Sequence, residues 1–192
     1  MLRLFVAVLI PENVKQVIAA AIEPLRQERD TSCLRWSRPE QIHFTLKFLG
    51  GVPESQLDNI KAALQKQLRE ATGFTLQPNG VGSFGNRRFV RAVWVGLDGE
   101  AAKLVELAEN IEQALNPLGY PREKKCFAPH LTIARVQRDA NIKQHDALRS
   151  VLEQFTPPKL PAFTVDRVSL MQSTLNPKGS IYEEIAKFPL KI

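Results

Sequence analysis

Cysteine is scarce. Cys33 and Cys126 are the only two in 192 residues, too few for a disulfide framework in a chain of this length. They do not form a Cys-x-x-Cys pair, so a structural zinc site has little support, and both are expected to be reduced, partly buried and inert. Long hydrophobic runs are missing too. The longest candidate, Leu4 to Ile10, is far too short to span a membrane. It also makes a poor signal peptide, with one preceding Arg3 and no small-residue cleavage site before Glu12. These absences lead to the expectation of a cytoplasmic protein. No low-complexity segment or flexible linker divides the chain. Histidine is the other rarity, with three residues in all.

What is present is an ordinary globular balance, 44% hydrophobic and 24% charged. The length suffices for one substantial core or two tightly packed lobes. The net charge of +6 fits a polyanionic partner. Arg87, Arg88 and Arg91 form one basic cluster, and Arg122, Lys124 and Lys125 form a second just before His130. Each reads either as a phosphate contact or as a solvated basic loop.

Strands and helices alternate along the chain. Leu2 to Ile10 is a nearly continuous apolar run of the buried-strand type. Pro11 opens a helix whose apolar stripe runs from Val14 through Val17, Ile18 and Ala21 to Leu25. Ile42 to Leu49 alternates as a second strand, followed by a helix from about Pro53 to Glu70. Phe74 to Leu76 leads into a glycine-rich connection, Gly80 to Gly85, and then a strand from Phe89 to Leu97. The pattern repeats with a helix from about Glu100 to Leu118, stopped by Gly119. A short strand spans Leu131 to Val136, helical spacing returns from Leu148 to Phe155, and two strands, Phe163 to Met171 and Tyr182 to Phe188, close the chain around a loop holding Pro177 and Gly179. This is an α+β pattern, read as a single domain over residues 1–192 with two lobes sharing a sheet or cleft. Each lobe supplies one strand–helix unit and one His-x-Thr strand.

Two of the three histidines sit in matched settings, His43-Phe44-Thr45-Leu46 and His130-Leu131-Thr132-Ile133. Threonine occupies only eight of 192 positions, so the double coincidence is a signal. In a strand, residues two apart share a face. His43 and Thr45 therefore point one way while Phe44, Leu46 and Phe48 are expected in the core. His130 and Thr132 do likewise, with Leu131 and Ile133 buried. Brought together across a cleft, the two pairs form a symmetric site of two imidazoles and two hydroxyls. That set suits phosphodiester cleavage without a metal. One neutral imidazole takes a proton from water, one imidazolium protonates the departing ribose oxygen, and the hydroxyls donate to the non-bridging oxygens.

Strict alternation puts Arg135 on the face opposite His130, where an unpaired guanidinium would be costly. It either swings round to the site through a strand end or bulge, or forms a salt bridge at the strand end. Lys47, in register with His43 and Thr45, either extends a basic lining or is a solvated edge residue. His145 lies in a polar stretch and is assigned to the surface. Tyr182, Trp36, Trp94 and Phe5 are the aromatic candidates for stacking a nucleobase.

At these motifs the chain resembles the two-histidine phosphoesterases, and within them the RNA 2′,3′-cyclic phosphodiesterases, formerly called 2′-5′ RNA ligases. The likeness runs through LRLFVAVLIP, WSRPEQIHFTLKFLG, RFVRAVWVGL, FAPHLTIARV and LMQSTLNPKGSIY. It implies a bilobal fold with pseudo-twofold symmetry, antiparallel sheets lining a central cleft and helices outside. It implies that His43 (proton donor) and His130 (proton acceptor) open a terminal 2′,3′-cyclic phosphate to a 2′-phosphate, with Thr45, Thr132 and Arg135 binding the substrate. The partner expected is an RNA end bearing that phosphate, acted on by a monomer with no cofactor, no metal and no membrane. Gly85-Asn86-Arg87-Arg88 departs from the proline-containing loop common in relatives. The rival readings are a phosphodiesterase of small cyclic nucleotides, an ATP-independent 2′-5′ joining reaction at the same site, a non-catalytic RNA-binding module, and a metal hydrolase. The chain has no Gly-x-x-x-x-Gly-Lys loop to power ligation and no carboxylate or Cys set at ligand spacing beside its histidines.

Overall fold

The structure, a computed structural model, describes residues 1–124, 126–176 and 179–192. Its strands are β1 (Leu2–Leu9), β2 (Leu34–Trp36), β3 (His43–Val52), β4 (Phe74–Gly85), β5 (Val90–Gly99), β6 (Leu131–Val136), β7 (Phe163–Val165), β8 (Arg167–Asn176) and β9 (Gly179–Pro189). Its α-helices are α1 (Glu12–Ala21), α2 (Glu23–Gln27), α3 (Leu57–Leu68), α4 (Ala101–Leu115) and α5 (Ile142–Gln154). The strands form two sheets, β3-β1-β8-β9 and β2-β6-β5-β4-β7. Every pairing between named strands is antiparallel. The α+β architecture with two antiparallel sheets is as expected.

β1 is apolar on both faces because it is central. Leu4, Val6 and Val8 join the main core, while Phe5 and Ala7 pack with Met171 on the other face. The main core runs without a break through both sheets, from Val6 and Phe44 to Val93 and Leu131. α3 and α4 pack against each other, against β9 and β3 respectively, and so cover the first sheet. α5 packs against β4 of the second. It starts at a capping box in which Asn141 and Gln144 each accept the other's backbone N–H.

Several expected elements take a different form. The helix after Pro11 breaks at Ile22, where Pro24 in the first turn of α2 restarts it, and Val17 falls outside its buried stripe at 42% exposure. The glycine-rich segment Gly80 to Gly85 continues β4 instead of connecting it, with a bulge where Gly80 adopts φ 67°. Phe163 to Met171 is two strands. β7 pairs with β4 in one sheet, then the chain crosses at Asp166 so that β8 pairs with β1 in the other. Gly119 ends the α4 segment in a left-handed conformation, as expected of its position. Among the described residues no helix is long and apolar enough to cross a membrane.

Candidate active site

Both His-x-Thr strands line one cleft of about 880 Å³. β3 contributes His43 and Thr45 from the first sheet, and β6 contributes Thr132, with His130 just before it, from the second. Phe44, Leu131 and Ile133 are fully buried on the opposite faces. The period-two argument holds through the first three residues of each motif.

It holds at the fourth as well, and fails just beyond it in the same way in both. The β1–β3 register slips between Thr45 and Lys47, leaving Leu46 as an extra residue. The β5–β6 register slips between Thr132 and Ala134, leaving Ile133 extra. A bulge of one residue reverses every side chain beyond it. Phe48 therefore faces the cleft, 63% exposed, instead of the core. Arg135, at the equivalent place in β6, also lines the cleft. Lys47 turns the other way. It is 3% exposed, with its Nζ 2.5 Å from Glu112 Oε2 of α4 and 2.9 Å from the Pro121 carbonyl. Neither a basic lining nor a solvated edge describes it.

The imidazoles are oriented by the backbone. His43 Nδ1 lies 2.8 Å from the Gln41 carbonyl and His130 Nδ1 lies 2.7 Å from the Ala128 carbonyl. A carbonyl only accepts, so each Nδ1 carries a proton and each Nε2 is the nitrogen left to exchange one. His43 Nε2 is 3.0 Å from Thr45 Oγ1. The neutral ring accepts from that hydroxyl. Protonation at Nε2 reverses the bond and frees the hydroxyl hydrogen for another acceptor. Phe5 and Tyr182 hold the His43 ring, with centroids 5.0 and 5.2 Å away, and Phe84 meets the His130 ring edge to face at 4.5 Å.

Burial lowers the pKa of both rings. His43 falls to about 4, mainly by desolvation, opposed by the Gln41 carbonyl and assisted by Lys15. His130 is lowered by desolvation, opposed by the Ala128 carbonyl and assisted by Arg135. Between the ordinary imidazole value of about 6.5 and the folded value, the unfolded chain binds a proton that the folded chain refuses. This contribution to stability is present above about pH 6.5 and is lost as pH falls toward about 4. Urea melts should therefore show wild type losing more stability between about pH 7 and about pH 4.5 than a His43→Gln variant. Equal losses would mean that His43 titrates normally.

Of the expected aromatic candidates, Phe5, Trp36 and Tyr182 line the cleft, and Trp94 lies outside its lining. Trp94 instead stands over Gly82 and Gly96, close enough that a Cβ on either would press on the indole. His145 is buried at 5% exposure, not on the surface. Its Nδ1 accepts the Val90 N–H at 3.2 Å, and Phe89 packs edge-on against its ring. A polar sequence context hid it because its neighbours in the helix, not the histidine, meet solvent. Cys126 is exposed and Cys33 buried, and both are free thiols.

The basic clusters picked out in the sequence do not line the cleft. Arg87, Arg88, Arg91, Arg122 and Lys124 are exposed elsewhere, and Lys125 lies outside the described residues, as does Pro177 of the last loop. The arginines of the cleft are Arg3, Arg35, Arg135 and Arg138. Only Arg135 was expected there. The other three lie in short or unmotivated stretches, and only the folded arrangement collects them. Among the described residues no three His, Cys, Asp or Glu side chains are grouped so as to hold a metal ion.

Known proteins resemble this chain in sequence and fold. The RNA 2′,3′-cyclic phosphodiesterase of Methanocaldococcus jannaschii is 32% identical over 97% of this chain and 100% of its own. That of Archaeoglobus fulgidus is 32% identical over 97% and 99%. A crystal structure from Thermus thermophilus superposes with a TM-score of 0.77 at 30% identity, covering 98% of each chain. E. coli LigT complexed with 3′-AMP shares the fold, with a TM-score of 0.79 at 21% identity over 100% of this chain and 99% of its own. The model of the 2′-5′ RNA ligase superfamily matches residues 14–177, and the chain belongs to that family.

Proposed function

We propose that this protein is an RNA 2′,3′-cyclic phosphodiesterase that hydrolyses a terminal 2′,3′-cyclic phosphate to a 2′-phosphate by metal-free general acid–base catalysis. The observation that carries the reading is the pair of imidazoles in one cleft, each with Nδ1 fixed to a carbonyl and Nε2 left to move a proton. Relatives about 30% identical over nearly the whole chain carry that activity in their names.

In the proposed reaction His130 Nε2 takes a proton from water as the oxygen attacks phosphorus. The bond from phosphorus to the ribose 3′-oxygen breaks, and His43 Nε2 delivers a proton to that oxygen. Thr45, Thr132 and Arg135 stabilise the non-bridging oxygens as charge builds there. With a pKa of about 4 the His43 ring is neutral at about pH 7, so the donor role requires bound substrate to charge it. An anionic phosphate beside the ring favours the protonated form, so loading the substrate charges the acid. The same protonation turns the Thr45 hydroxyl hydrogen from His43 toward the phosphate. With an RNA 5′-hydroxyl in place of water, the same transfers give a 2′-5′ linkage without ATP, which is the activity the family's name describes.

The test is an RNA oligonucleotide ending in a 2′,3′-cyclic phosphate, incubated with the protein in excess EDTA, with the terminal phosphate of the product identified. A 2′-phosphate is expected. A 3′-phosphate would reverse the leaving group, and activity lost in EDTA but restored by a divalent ion would overturn the metal-free mechanism.

A further inference from the structure

We propose that Arg35, with Arg138 and Arg3, forms a second phosphate subsite that grips the first internal phosphodiester of the RNA, on the 5′-oxygen of the reacting nucleotide. The proposal rests on the phosphodiesterase reading and extends it to the length of substrate the cleft is built for.

Charge balance is the first argument. A terminal cyclic phosphate is a monoanion, and one guanidinium, Arg135, answers it. The cleft lining nevertheless carries four arginines and no carboxylate. Among the described residues, none of Arg3, Arg35, Arg135 and Arg138 has a carboxylate within salt-bridge distance. The three remaining positive charges call for further anion, and in RNA that anion is the next phosphate.

Register supplies the second argument. Arg35 of the edge strand β2 stands directly opposite Arg135 of β6. Directly opposed residues of an antiparallel pair share a face, and like charges in that position are destabilising. β2 is only three residues long, and Leu34 is buried while Arg35 is exposed to the cleft. The fold therefore holds a like-charged pair in its own active-site cleft, and an internal phosphate on Arg35 beside the reacting phosphate on Arg135 gives each guanidinium its own charge-assisted hydrogen bonds and offsets the repulsion. Arg138 follows Arg135 beyond the end of β6, and Arg3 closes the cleft from the facing sheet. A cleft of about 880 Å³ lies at the upper end of the range for sites that hold one small molecule.

The experiment compares kcat/KM on three substrates: adenosine 2′,3′-cyclic phosphate, the ApA dinucleotide with the same end, and that dinucleotide with an uncharged methylphosphonate linkage. Wild type should favour the charged dinucleotide over the uncharged one by about tenfold or more. Arg35→Gln should cut that ratio by about tenfold, while Arg69→Gln, an exposed arginine just beyond α3 and outside the cleft lining, should preserve it. Equal turnover of the two dinucleotides by wild type overturns the subsite, as does an Arg35→Gln loss that is the same for both. If none of the three is hydrolysed, the phosphodiesterase reading fails instead. The same ratio is then read as equilibrium binding of the three ligands, and a charged-over-uncharged preference that Arg35→Gln removes still supports the subsite, whereas no preference sinks it.

Discussion

Alanine at His43 or at His130 should each lower kcat on an RNA ending in a 2′,3′-cyclic phosphate by about 10²–10⁴-fold, the range of one lost proton transfer. The two losses should then separate chemically. If the 3′-oxygen of the cyclic phosphate is replaced by sulfur, the leaving group departs as a thiolate and needs no proton. His43→Ala should recover most of its lost rate on that substrate, while His130→Ala, still lacking a base for the water, should stay slow. The opposite pattern would exchange the roles of the two histidines. His43 touches Phe5 and Tyr182, so a thermal melt must accompany its variant. His130 depends less on packing, with Phe84 as its one aromatic neighbour among the described residues.

Glu112→Ala should destabilise the protein by about 3–5 kcal/mol, because it leaves the Lys47 ammonium in the interior without its counter-ion. The Lys47 side chain is 1% exposed, and among the described residues its only other polar contact is the Pro121 carbonyl. Removing both charges together, as Lys47→Met with Glu112→Leu, should cost far less than the single change and fall near wild type. The midpoint of urea unfolding at constant slope reads both values. A single-variant loss below about 1 kcal/mol would mean that water reaches the ammonium and screens it. The pair also has a geometric consequence. It holds the residue just after the β3 bulge against α4, and so fixes the strand reversal that brings Phe48 into the cleft.

That reversal marks where reading along the chain stops working. Alternation is a local rule, and it placed His43, Thr45, His130 and Thr132 correctly because no bulge intervenes between the members of each pair. Beyond the bulge it misassigned Phe48 and left Lys47 with two wrong environments. For Arg135 the cost of burying a charge pointed to a bulge as one of two solutions, and the register of β6 selects it. Nothing in the local sequence distinguishes Leu46 or Ile133 as an extra residue, because both are apolar and buried like ordinary strand positions. The split of residues 163–171 between two sheets was hidden for a similar reason, since Asp166 interrupts a run whose apolar content reads as one strand.

The sequence by itself determined the α+β class, the central apolar strand, the amphipathic helices and the two His-x-Thr motifs, because each depends on a period of two or 3.6 residues within one segment. Tertiary structure alone decided which charges line the cleft. It turned Lys47 inward onto Glu112, buried His145 behind Val90, left the evident basic clusters outside the cleft and set Arg35 against Arg135 within it. Charge carries no periodicity, and an arginine's neighbours are fixed by which strands pair and in what register.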